Sequence, residues 1–268
     1  MLYKVRAIVL GGKDIGEADK LMTLYSEERG KIKAIAKGVR KTRSKFGSSL
    51  ELFTLSSLLI YSKNNSSRQS YPHAPTLDII SDAQIQNSFR NLRENLVEFA
   101  YGNFLVELVN RMTGEEEDDG HRIFHLLREF LSSGRELKNT NVLIYGFTLR
   151  FFNILGYNPQ IEKCVLCSNE IKVGKGYNFS VNQGGILCNN CKNGKTGVLP
   201  VSASSLQYLR QLMRIEPRSL RNLRISLYCE RELEDIVQDY LNFYLERDME
   251  SLSFLSQVSG LDKSGLKS

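Results

Sequence analysis

Cys164-Val-Leu-Cys167, then twenty residues, then Cys188-Asn-Asn-Cys191: this stretch governs how the second half of the 268-residue chain is read. Two C-x-x-C pairs at such a separation have the spacing of a structural zinc site. Each turn aims two thiolates at one point, and two such knuckles close a tetrahedron around Zn²⁺ with no position left open for chemistry. The residues between suit a small ribbon, since Lys175 to Val181 alternates like a strand and Gln183-Gly184-Gly185 reads as a turn. Two disulfides or four reduced thiols are the alternatives. Disulfides require an oxidising compartment, to which nothing else in the sequence points.

Working outward, the composition is that of a soluble globular chain, 41% hydrophobic and 25% charged. No apolar run approaches the roughly 20 residues that span a bilayer. Met1 to Leu10 has charges inside its apolar run and lacks a small-residue cleavage site, so no secretory leader is expected. A reducing cytoplasm follows as the expected location. The fifth cysteine, Cys229, has no base beside it and reads as a packed thiol. The net charge of +6 is unevenly placed. Residues 1–80 hold 14 Lys and Arg against 7 Asp and Glu, while the other 188 residues hold 22 against 23. The whole basic excess lies in the first third, which points to one part that meets a polyanion and a near-neutral body with another task.

That first third reads as short strands. Tyr3 to Leu10 is followed by a turn at Gly11 to Asp14, Lys20 to Ser26 by a hairpin-like turn at Glu27 to Gly30, and a third run covers Lys31 to Lys37. Alternation along the third run puts Lys31, Lys33, Ile35 and Lys37 on one face and Ile32, Ala34 and Ala36 on the other. A basic loop, Gly38 to Lys45, precedes a further strand region between Leu50 and Tyr61. This pattern predicts a small closed or nearly closed β-barrel. A polar turn at Asn64 to Arg68 and Pro72 and Pro75 mark its exit.

From about Asp82 the period becomes helical. One helix is predicted from about Ala83 to Thr113, breaking once or kinking near Gly102, and others over Arg122–Ser132 and Asn141–Leu155, the last stopping at Gly156. Glu115 to Asp119 reads as a solvated acidic loop at a helix start. Ser202 is placed to cap a helix carrying Leu206, Leu209 and Leu212. A last helix is predicted from Arg231 to Arg247, with Leu233, Ile236, Val237, Tyr240 and Tyr244 as a core stripe. The expected fold class is α+β and multidomain: a barrel over 1–80, a helical domain over 81–160 and 199–260 with the four-cysteine finger inserted at 161–198, and a disordered tail at 261–268.

Arg29, Lys31, Lys33, Lys37, Arg40, Lys41, Arg43 and Lys45 stand in seventeen residues with no acid among them. Cations that neutralise phosphates release counterions, which drives sequence-independent binding to nucleic acid. A barrel face feeding a basic loop is the form of an oligonucleotide groove, to which Tyr25, Phe46, Phe53 and Tyr61 offer stacking unless they are core. The glycine spacing matches no phosphate-cradling P-loop. His121 and His125 share a helical face at i, i+4, but Arg122 stands where a zinc hydrolase would have glutamate, so no metal role is assigned to them. His73 lies among prolines without an evident partner. No catalytic set emerges.

Several segments, in this order, resemble the bacterial RecO family of DNA-repair recombination mediators. They are Ala7 to Leu10 with Gly16 to Lys20; Tyr25 to Ile32 leading to Ala36 to Lys41 and Ser44-Lys45-Phe46; Leu155 to Pro159 with Cys164 to Cys167; Gly184 to Cys188 and Cys191; and Tyr244 to Arg247 with Ser251 to Leu255. The resemblance implies an N-terminal OB-fold, a helical domain with an inserted zinc finger, and no bond-cleaving catalysis. It implies binding to single- and double-stranded DNA, annealing of complementary strands, and work with RecR to load RecA on DNA coated by single-strand-binding protein, in a bacterial cytoplasm close to the nucleoid. Carried over by motif, Lys33, Lys37, Arg40, Lys41, Arg43 and Lys45 become the expected DNA contacts, with Lys31 beside them on the strand. Cys164, Cys167, Cys188 and Cys191 become the expected ligands of one structural Zn²⁺. By the same resemblance the tail of single-strand-binding protein would dock on the helical domain, with Arg150 and its apolar neighbours as the candidate place.

Two other readings are compatible with the sequence. A metal-dependent nuclease or modifying enzyme would need an open metal position or a carboxylate cluster, for which Asp14, Glu17 and Asp19 are the candidates. An RNA-binding accessory factor is the other, because an OB-like groove does not by itself choose the sugar.

Overall fold

Apolar residues that alternate with polar ones in the first sixty positions form β1 (Leu2–Ile15), β2 (Asp19–Ser26), β3 (Gly30–Ala36) and, after a single 3₁₀ turn at Gly47–Leu50, β4 (Leu55–Tyr61). This computed structural model describes residues 1–62, 77–115, 120–134, 139–172, 174–245, 249–252, 254, 255 and 257. A fifth strand, β5 (Asp78–Asn87), pairs antiparallel with β4 and in parallel with β3, which closes a barrel in the order β1-β2-β3-β5-β4. That order, with β1 also paired to β4, is OB-like. The interior is filled by residues on the inward side of each strand, among them Val5, Val9, Leu24, Ile32, Ala34 and Leu58, with Phe46 and Leu50 as a plug.

The helix expected from Ala83 is corrected here. Asp78 to Asn87 is strand, and its period is hidden by a register shift between Leu59 and Ile60 that leaves Ser81 without a partner on β4. Two helices follow, α1 (Asn91–Glu94) and α2 (Leu96–Met112). The break falls at Asn95, whose side chain accepts from the N–H groups of Val97 and Glu98 and so starts α2. Gly102, where a kink was the alternative to a break, lies inside α2. A Cβ there would come within 2.9 Å of the Phe53 ring, so the glycine serves close packing instead. Helix α3 (Gly120–Ser133) completes this part. Helices α2 and α3 lie against strands β1 to β3 and bury Ile8 and Tyr25, which point away from the barrel interior.

The described residues divide near residue 135 into two compact units, with Gln257 grouped with the first. The second is built on α4 (Thr140–Ile154), in which Val142 to Leu149, Phe151 and Phe152 are all buried. A three-stranded sheet follows, β6 (Tyr177–Ser180), β7 (Gly185–Leu187) and β8 (Leu199–Val201), in the order β7-β6-β8. Then come α5 (Ala203–Arg214), α6 (Pro217–Leu220) and α7 (Leu227–Tyr244). Ser202 caps α5 as expected, by accepting from Ser205 N–H. The α7 stripe is core: Leu233, Ile236, Val237 and Tyr240 are buried, and Tyr240 and Tyr244 sit beside the Phe152 ring. Helix α7 begins at Leu227, four residues before the expected start, because Ser226 caps it. Cys229 is a buried thiol in its first turn. No described helix is long and apolar enough to cross a membrane. The turn at residues 64–68, His73, Pro72 and Pro75, residues 116–119 of the acidic run, and the tail at 261–268 lie outside the described residues.

Candidate nucleic-acid interface and cysteine centre

Strand β3 carries the basic face because it obeys its period: Ile32, Ala34 and Ala36 are buried, Lys33 is exposed, and Lys31 and Ile35 are half-buried on the outer side. The seven candidate cations then part company. Lys31 Nζ donates to the main-chain carbonyls of Asn110 and Thr113, where it satisfies the C-terminus of α2. Lys33 pairs with Glu115 at 2.8 Å, and the Glu115 backbone bridges Gly30 and Lys31 along the edge of β3 that β5 leaves free. Arg40 pairs with Asp14 at 3.3 Å and donates to the Gly16 carbonyl, so the basic loop is laid on the tip of the β1–β2 hairpin. Asp19 fastens the same contact by accepting from Gly38 N–H at 2.7 Å. Lys45 Nζ donates to the carbonyl of the bulged Ser81 and lies 5.1 Å from the Phe46 ring centre. Lys37, Lys41 and Arg43 are exposed, and none of them has an acidic partner among the described residues.

The expectation of eight cations without compensation is therefore corrected for Lys33 and Arg40, whose partners Glu115 and Asp14 come from other strands or from beyond the barrel. Both pairs are exposed at both ends, and such pairs hold by about 0–1 kcal/mol. A phosphate can displace the carboxylate at little cost. Asp14 and Asp19 are occupied in holding the hairpin and loop together, which accounts for two of the three carboxylates suspected of chemistry.

Of the four aromatics, Tyr25, Phe46 and Phe53 are buried and belong to cores. Tyr61 is exposed at the end of β4. Register then reveals a row the sequence reading missed. Ile35 on β3 faces Ile79 on β5, which faces Tyr61 on β4, which faces Leu2 on β1. Ile35 and Ile79 are half-buried and Leu2 and Tyr61 are exposed, so an apolar strip crosses the open outer wall next to Lys33. Only strand pairing brings these four together, so no local signal in the sequence announces them.

The cysteine centre is built from two turns and a sheet. Cys164 N–H donates to Asn169 O and Ser168 N–H to Cys164 O, which winds the first knuckle. Cys191 and Lys192 N–H groups both donate to Cys188 O, which winds the second. Val165 N–H donates to Ile186 O on β7, tying the first knuckle to the strand that leads into the second. The four Sγ atoms of Cys164, Cys167, Cys188 and Cys191 lie within 4.8 Å of one another, and Cys167 Sγ is 3.8 Å from Cys188 Sγ. Sulfur atoms bound at 2.3 Å to a tetrahedral Zn²⁺ are about 3.8 Å apart. A disulfide would need about 2.05 Å, and the five cysteines are free.

The electrostatics agree with a cation's place. Burial raises the Cys164 thiol, but the N–H groups of Cys188, Cys167 and Leu166 outweigh it and bring the thiol down to about 6. Cys191 is pushed up to about 12, first by Cys188 and then by Cys167. The cluster thus gives up one proton readily and holds the next, because the protonated Cys191 thiol hydrogen-bonds to the neighbouring sulfurs, with burial and the Cys164 charge adding to the effect. The donor set and its spacing fit zinc. In the same unit, Arg150 donates to the carbonyls of Leu212 and Ile215 at the C-terminus of α5, which is a structural task.

Comparison with known proteins places these features in one family. Residues 1–74 match the model of the recombination protein O N-terminal domain, and residues 93–253 match that of its C-terminal domain. The chain is 33% identical over 258 residues to the DNA repair protein RecO of Pelotomaculum thermopropionicum, covering 96% of this chain and 94% of the relative. It is 28% identical over 257 residues to that of Desulforamulus reducens, covering 96% and 95%. Over 264 residues it is 28% identical to that of a Thermoanaerobacter species, covering 97% and 99%.

Proposed function

Because this chain belongs to the recombination protein O family of DNA repair proteins, we propose that it binds single- and double-stranded DNA on the open wall of its barrel and anneals complementary strands. On this reading it also acts with RecR to load RecA on DNA coated by single-strand-binding protein. The observation that carries the binding step is the placement of Lys37, Lys41 and Arg43, exposed and without acidic partners among the described residues, beside Lys33 and Arg40. These charges would line the phosphates of one strand and lower their repulsion for a second. The strip of Ile35, Ile79 and Tyr61 offers bases an apolar wall on the same side. Lys45 and Lys31 would contribute less, since each already donates to main-chain carbonyls.

The thiolates of Cys164, Cys167, Cys188 and Cys191 would hold one Zn²⁺, which when bound cross-links the two knuckles as a closed structural site. The annealing, RecR and RecA steps rest on family membership, as does a place in the cytoplasm near the nucleoid.

An annealing assay with complementary oligonucleotides, run with and without single-strand-binding protein at two salt concentrations, tests the proposal. Annealing accelerated by the protein, resistant to single-strand-binding protein and weakened by salt is the expected result. Annealing no faster than the protein-free reaction would overturn it. Matched RNA strands in the same assay, and inspection of the DNA for cleavage in Mg²⁺, separate it from an RNA-binding or nuclease role.

A further inference from the structure

His121 and His125 lack the glutamate that their own helix would have to supply, but the fold brings one from another element. Glu27 stands in the turn between β2 and β3, and its carboxylate is buried, with the side chain 9% exposed. Its Oε1 lies 3.0 Å from His125 Nε2 and 3.5 Å from His121 Nε2, and the two Nε2 atoms are 3.1 Å apart. Spacing of i, i+4 on α3 puts both imidazoles on one face, with ring centres 4.2 Å apart. The other carboxylate oxygen, Oε2, is engaged by the Arg6 guanidinium, so Oε1 is the atom presented.

Three lone-pair-bearing atoms thus converge on one point. Ligands bound at 2.0–2.1 Å to a tetrahedral zinc ion are about 3.3 Å apart. The three observed separations lie on either side of that value. Imidazole, imidazole and carboxylate are the donors that zinc and neighbouring divalent transition metals accept. Here they come from a rigid helix and from a turn anchored by Glu27 N–H donating to Arg6 O. The backbone is seated just as tightly: a Cβ on Gly120, the residue before His121, would come within 2.7 Å of Gly30 N.

We propose that Glu27, His121 and His125 form a second metal site, distinct from the four cysteines, which takes one divalent ion of the zinc class. The ion would fasten the start of α3 to the β2–β3 turn, three residues before the basic strand begins. A fourth position stays open to water on the side of His121, which is 68% exposed. The Arg6 charge next to Oε2 makes this the weaker of the two sites. The proposal stands apart from the nucleic-acid reading and from the metal content of the cysteine cluster.

The full-length protein, loaded with one zinc per chain and gel-filtered, is titrated with ZnCl₂ by calorimetry. One further equivalent is expected, accompanied by a rise in Tm. His121→Ala, at an exposed position that leaves the fold intact, should weaken this second uptake by roughly tenfold or more, since loss of even an outer-shell partner costs 10–100-fold. The double variant H121A/H125A should abolish it and keep the first equivalent. Co²⁺ supplies an independent readout: the second site gives d–d bands without the thiolate charge transfer of cysteine-bound cobalt, and this spectrum is read whether or not the cysteines are loaded. No uptake with a nitrogen–oxygen spectrum, or the same uptake in His121→Ala, would overturn the proposal and leave the trio as a hydrogen-bonded cluster only.

Discussion

The cysteine centre and the basic barrel face arrange like groups in two opposite ways. In the first, four like atoms converge within 4.8 Å and each is necessary to the others. In the second, seven cations spread over a strand and a loop, some tied to carbonyls, some to exposed acids and some to nothing described. A convergent site fails as a unit when one member is removed. A dispersed one weakens in proportion to what is taken away. This contrast sets how variants in each region should behave.

The largest effect belongs to the cysteines. Cys164→Ser or Cys188→Ser should release zinc and disorder the segment from 161 to 198, because metal binding and local folding are one event. Metal analysis together with proteolysis of that segment checks it. Acid should do the same reversibly. The thiolates must be deprotonated to hold the metal, so zinc should leave once acid protonates them against the ion, at a pH below the value near 6 that Cys164 has without it. Retention of stoichiometric zinc by either serine variant would remove the convergent half of the comparison.

On the dispersed face the loss should be graded. Changing Lys37, Arg40 and Lys41 to Ala should leave the fold intact and weaken single-stranded DNA binding. Each phosphate contact contributes about 0.7 to the salt slope of log K, so three should lower that slope by about 2. Single variants should each take roughly a third of it. Fluorescence anisotropy at several salt concentrations reads both. A single substitution that abolished binding would mean a specific pocket in place of a face.

A buried charge also acts where no partner molecule is involved. Glu232 on α7 accepts from Ser202 N–H at 2.9 Å, at the start of α5. Burial raises its carboxyl, but the Ser205 hydroxyl, Ser202 N–H and Tyr228 hydroxyl bring it below its ordinary value. Its stabilisation is thus present at neutral pH and is lost as pH falls through that lowered folded value. Glu232→Ala should cost about 2 kcal/mol in denaturant unfolding at pH 7, with the difference from the native chain narrowing in acid.

How much of this could be read in advance follows from the range over which each feature is encoded. The four-cysteine cluster, the alternation of β3 and the caps at Ser202 and Gly156 are local, and spacing or period alone reveals them. Strand β5 was hidden because its bulge at Ser81 breaks the alternation, and Asn95 because a capping residue inside a helical pattern looks like part of it. Tyr25 and Phe53 read as stacking candidates until packed helices covered them. The partners Glu115 and Asp14, the strip through Ile79, and Glu27 between two histidines are all products of tertiary pairing, which no local window contains.

The smallest expected effect is the most informative about the dispersed face. Glu115→Gln and Asp14→Asn together remove the carboxylates facing Lys33 and Arg40 and keep the shape of both side chains. If those pairs held the loop in place, the double variant would unfold more easily and bind DNA less well. Because the pairs are exposed, the contribution of each to stability should be under about 1 kcal/mol. Lys33 and Arg40, and Lys20 with them, would no longer have to exchange a carboxylate for a phosphate. DNA affinity should then rise modestly, by roughly two- to fivefold at low salt, and the gain should fade as salt screens both kinds of pair. The Gly38 N–H bond to Asp19 and the Arg40 bond to Gly16 O remain to hold the loop. Anisotropy titrations of the double variant beside the native chain decide the matter, and a drop in affinity would show that these acids position the cations and do more than neutralise them.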